Sequence, residues 1–170
     1  MFRFDQFVEN WASIYKPMLH EPGPYSRNQR FFLTDTESGL IDFMTNVQPE
    51  RSPCVIMESS QEGTIGRGLD RPQYTLYFMV QAEQMGDGRA AYEAKLEAKD
   101  HMQEFIKFLN EEQDKAEAEG MQSGVQNIDA SENIPYYSIG PFHDGWYSVY
   151  ITLEDVQRYS KCTSPDKYLR

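Results

Sequence analysis

The chain has 170 residues, 27 of them acidic and 16 basic, for a net charge of −11. That length supports one domain with its own core, and so acidic a composition excludes sequence-specific nucleic-acid binding, which needs clustered Lys and Arg to neutralise phosphates. Two cysteines, Cys54 and Cys162, are too few for a multi-cysteine zinc site, and no apolar run reaches the length of a signal peptide core or a membrane span. A reducing cytoplasm is the expected location.

At the N-terminus Phe4, Phe7, Val8, Trp11, Ile14, Tyr15 and Met18 recur at helical spacing, which predicts an amphipathic helix over about 4–16 ended by Pro17. Its aromatic stripe is expected to pack on the chain's own sheet; docking on a neighbouring subunit is the second reading. His20-Glu21-Pro22-Gly23-Pro24 has the composition of a loop. Arg27 and Arg30 read as ordinary solvated charge, and residues 30–33 as a short extended segment. Residues 35–38 supply capping side chains for a second, short helix carrying Leu40, Ile41, Phe43, Met44 and Val47.

After Pro49 and Pro53, the apolar run Cys54-Val55-Ile56-Met57 suits a buried strand. Residues 59–70 are polar and rich in glycine, which predicts a long mobile hairpin tip containing Gly63, Gly66, Arg67 and Gly68. The run 73–82, QYTLYFMVQA, is then a central strand covered on both faces. Residues 91–110 form a long helix whose buried stripe is expected to be Tyr92, Leu96, Met102, Phe105, Ile106 and Leu109, fraying near 117–120.

Residues 134–139 and 146–153 flank a Gly- and Pro-containing turn and read as a second hairpin. In its last strand Tyr147, Val149, Ile151 and Leu153 share one face, while Trp146, Ser148, Tyr150 and Thr152 share the other, a candidate partner surface. The fold expected is therefore α+β: a small, mainly antiparallel sheet of about four strands in two hairpins, with the long helix and the aromatic N-terminal helix packed on it. Residues 1–156 form the domain and 157–170 a polar tail.

No catalytic set is visible. The glycines at 63, 66 and 68 lead into a strand and have no Lys beside them, unlike a phosphate loop. His20, His101 and His143 share no metal-ligand spacing, and His101 reads as a helix-surface residue. The acidic pairs Glu111 with Glu112 and Glu117 with Glu119 lie in a solvated helix end with no pocket to shift their pKa. No catalytic, cofactor-binding or metal-binding residue is assigned.

The order of elements, closing with GWYSVYITLE at 145–154, resembles the tail terminator or tail-completion (head–tail joining) proteins of long-tailed bacteriophages and prophages. The resemblance implies a non-enzymatic virion subunit without cofactors, made in the host cytoplasm. Copies would pack side by side in a ring that meets the tail tube and the head connector. It further implies that the 62–70 tip reaches toward the lumen or tube. The neighbouring subunit would be met by the N-terminal helix, with Trp11, or by the face of Trp146, Ser148, Tyr150 and Thr152. An acidic lumen would repel DNA and let it slide. Two other classes remain open on the residues alone: a monomeric cytosolic interaction adaptor, and a ligand-binding domain or enzyme with a deep pocket containing Tyr, His or Cys.

Overall fold

The computed structural model describes residues 2–23, 26–34, 48–66, 68–120, 124–130 and 133–158, with the backbone alone at 59–62 and 158. The expected second helix, Arg67 and residues 159–170 lie outside the described residues.

Helix α1 spans Phe4–Ile14, and Phe4, Val8, Trp11 and Ala12 are its buried residues. It packs on the chain's own sheet, as its stripe requires. Trp11 lies flat on Tyr15 at 4.7 Å and edge-on to Phe105 at 5.1 Å and Phe78 at 6.0 Å. Burying each large side chain of this kind contributes about 2 kcal/mol, so α1 is part of the core.

The sheet has seven strands: β1 Phe31–Thr34, β2 Cys54–Gly66, β3 Leu69–Gln81, β4 Ile128–Asp129, β5 Tyr136–Ile139, β6 Trp146–Asp155 and β7 Gln157–Arg158. The main order is β1-β2-β3-β6-β4. Strand β3 pairs with β6 from Gln81↔Trp146 to Gln73↔Glu154, so β4 and β5 share the other edge of β6. The sheet is mixed, because β1 runs parallel to β2 from Phe31↔Val55 to Thr34↔Glu58. The expected count of about four strands is corrected to seven, and the mainly antiparallel sheet expected carries this one parallel pairing. Segments of two to four residues are too short for alternation to mark them. The last of them, β7, pairs with Leu69 and Asp70 and carries the sheet past Val156.

The β2–β3 hairpin also differs from a loose tip. After a register shift between Ser59 and Gly63 the ladder resumes at Gly63↔Pro72 and continues to Gly66↔Leu69. Gly63 and Gly66 are thus strand residues, paired as far as Gly66↔Leu69. A Cβ at position 63 would lie 2.8 Å from the Arg71 carbonyl oxygen, so the close backbone approach at the shift requires glycine. Gly68 turns the chain with φ +88°.

Helix α2 runs Gly88–Ala118, and the Asp87 side chain caps it by accepting from the Arg89 N–H at 2.9 Å. It buries Ala94, Ala98, His101, Met102, Phe105, Leu109 and Ala116. Tyr92 and Leu96, expected in the stripe, are 63% and 42% exposed. Alanines let the helix approach the sheet closely, and that proximity sets its rotation over the preference of larger side chains for burial. Both helices cover one sheet face, made by Val55, Met57, Leu76, Phe78, Val80, Tyr147, Val149, Ile151 and Leu153. Among the described residues no helix is long and apolar enough to cross a membrane.

Candidate functional site: the second face of the sheet

The period of two in the strands that points Leu76, Phe78 and Val149 at the helices points Tyr77, Met79 and Tyr150 the other way. The register then lines these residues up in rows across the sheet. One row is Cys54, Met79, Ser148 and Ile139; the next is Phe32, Ile56, Tyr77, Tyr150 and Tyr137; the next is Thr34, Glu58, Thr75 and Thr152.

The rows differ sharply in exposure. Cys54, Ile56, Met79 and Trp146 form a second apolar cluster, fully buried, with Phe32, Tyr77 and Phe142 against it. Phe142 is held there by its N–H, which donates to the Trp146 carbonyl at 2.8 Å. Trp146 and Ser148, expected on a partner surface, are therefore inside the monomer, as Trp11 is on the other side. The correction has a simple cause: alternation tells which residues share a face, while whether that face is covered depends on segments outside the strand, such as the 140–145 turn that brings Phe142 over it. Trp146 Nε1 and Ser148 Oγ have no hydrogen-bond partner among the described residues.

The middle row opens toward solvent. Tyr77 and Tyr150 are half-buried and Tyr137 is 55% exposed. Their rings stack in sequence across three strands, with centroids 5.2 Å apart from Tyr77 to Tyr150 and 5.3 Å from Tyr150 to Tyr137. The Tyr77 hydroxyl donates to a Glu58 carboxylate oxygen at 3.1 Å. In the next row the Thr75 and Thr152 hydroxyls bond each other at 3.1 Å, with Thr152 exposed. Beyond them Gln73 donates to Glu154 at 3.1 Å and Arg71 pairs with Glu154 at 3.7 Å. The result is a fixed row of tyrosine edges between an apolar end and a polar end. Of the expected interface residues, Tyr150 and Thr152 are on this open half.

Cys54, His101 and His20 are all buried. Burial pushes the Cys54 thiol up to about 12, which keeps it protonated and unreactive. His101 is buried, with Nδ1 2.8 Å from the Tyr15 hydroxyl, and burial lowers its pKa despite the nearby Glu97. It is not the surface residue expected. His20 is also buried: its Nδ1 accepts from the Arg30 and Phe31 N–H groups at 2.9 and 3.2 Å, while Nε2 faces Glu9 at 3.2 Å. That pattern fixes a neutral Nε2–H tautomer joining α1 to β1. No set of three metal-ligating side chains converges among the described residues. An open groove of about 570 Å³ between α2 and β5 is lined by Met102, Ile106, Ile134 and Tyr136, with Lys107 and Asn110 among its polar residues.

Sequence reasoning missed the tyrosine row as a unit. The signal that would have found it is the pairing register, which a single strand's alternation does not contain. No protein-family model matches the chain, and no curated protein matches it significantly.

Proposed function

We propose that the chain is a structural phage or prophage subunit of the tail terminator or tail-completion type, acting by ring assembly and protein contacts and not by catalysis. The observation that carries the reading is the stacked Tyr77–Tyr150–Tyr137 row, part-exposed on a rigid sheet face. Tyrosines ordered before binding lose little entropy on association and are enriched where protein interfaces carry their energy. A β2–β3 hairpin with Ile65 75% exposed near its turn supplies a second, different contact element. Two unlike patches on one chain make head-to-tail contacts, which close into rings when the rotation allows.

In this reading the subunits are made in the host cytoplasm and join tail-tube and head-connector proteins in the virion, and their acidity keeps DNA off the ring. Electron microscopy of the concentrated protein, alone and mixed with its tail-tube protein, is expected to show closed rings. Single particles of one-chain size under both conditions would contradict the reading and favour the adaptor.

A further inference from the structure

In a chain of net charge −11, Arg3, Arg71, Arg89, Lys107 and Lys115 each lie against a carboxylate, while Lys95 and Lys99 lie over tyrosine rings. Arg30 and Arg51 lie against no carboxylate among the described residues. Each instead crosses to the other's segment: Arg30 Nη1 donates to the Ser52 carbonyl at 2.9 Å, and Arg51 Nη1 donates to the carbonyl and side-chain oxygens of Gln29 at 3.3 and 3.1 Å. These contacts hold the two side chains beside each other at the entry to β1, with the Arg51 guanidinium 5.8 Å from the centre of the Phe32 ring.

Both arginines are half-exposed, yet Arg30 Nε is buried and has no acceptor. Carbonyl oxygens satisfy single N–H groups but do not cancel two full charges. Burial lowers the Arg30 pKa, and the neighbouring charge of Arg51 acts in the same direction. Cys54, close by, is a neutral thiol and supplies no counter-charge. Two part-exposed guanidinium groups on facing segments, neither against a carboxylate among the described residues, offer the kind of charged donors by which arginines bind phosphate and carboxylate groups.

We propose that Arg30 and Arg51 form an oxyanion-binding site, which takes a phosphate or carboxylate group either from a free anion or from an acidic side chain of another copy. The proposal is independent of the ring reading, since a monomer would hold a free anion equally well.

The test titrates the full chain with inorganic phosphate at constant ionic strength, chloride being the balancing ion, and follows the arginine Nε–H resonances by NMR together with the melting temperature. Saturating shifts at Arg30 and Arg51 are expected, with a rise in Tm of about 3–6 °C once phosphate is some tenfold above its Kd. Arg51→Gln should weaken phosphate binding about tenfold or more, while Arg27→Gln, an exposed neighbour, should leave it unchanged. Phosphate that binds and also lowers the molar mass of an assembly assigns the site to a carboxylate of another copy; phosphate that binds at unchanged mass assigns it to a free anion. Resonances of Arg30 and Arg51 that stay fixed at tens of millimolar phosphate, in folded wild-type protein, overturn the proposal.

Discussion

The two faces of the sheet are built from the same strands, yet they end differently. The first is closed by α1 and α2 over an aromatic and aliphatic core and opens at β5, beside the groove against α2. The second is closed only around Trp146, Cys54, Ile56 and Met79 and opens through the tyrosine row to the threonines and Glu154. Trp146 and Thr152 stand on the same face of one strand, but one is fully buried and the other exposed. A strand face is thus not a unit of function; each half answers to what packs over it.

The comparison can be broken first at its buried end. Trp146→Ala should cost about 3–5 kcal/mol, a large share of the 5–15 kcal/mol typical of a domain, and lower the urea midpoint or abolish folding. A folded variant of unchanged midpoint would return Trp146 to the surface. Gly63→Ala probes the hairpin ladder. Its Cβ meets the Arg71 carbonyl oxygen at 2.8 Å, so a loss of about 1–3 kcal/mol is expected in the same assay.

A smaller effect should come from pH. His101 is held neutral by burial, so its folded pKa lies below the ordinary 6.5. The unfolded chain then takes up the proton first, and stability is lost as pH falls through about 6.5 toward the lower folded value. Urea midpoints between pH 8 and 5, read as an order of magnitude by linkage, should fall with acid, and His101→Gln should flatten the part of that slope due to this residue. At the open end, Thr152→Val should move stability by no more than about 0.5 kcal/mol.

Much of the fold was legible because long elements repeat their pattern. The stripe from Phe4 to Trp11, the alternation from Tyr74 to Val80 and the alternation of β6 each repeat often enough to be read. Strands β4 and β7 do not, and β1, legible only as a short extended segment, gives no sign of its parallel pairing with β2. The rotation of α2 was misread because Tyr92 and Leu96 outweigh Ala94 and Ala98 in hydrophobicity, while close packing on the sheet favours the smaller pair. Composition is equally silent on His101, whose partner Tyr15 is 86 residues away, and on Arg30, which looked like solvated charge. The candidate site was legible in half: the residues that share this face of β6 were marked, but its open and closed ends were not.

The central claim is that the open half of the second face is an association surface. Light scattering on a sizing column, over a wide concentration range, tests it most directly when wild type is run beside Tyr137→Ala and Tyr150→Ala. Wild type should rise in mass toward a closed multiple of the chain, while both variants keep the wild-type circular dichroism and remain monomers. Variants that assemble as wild type does would contradict the claim.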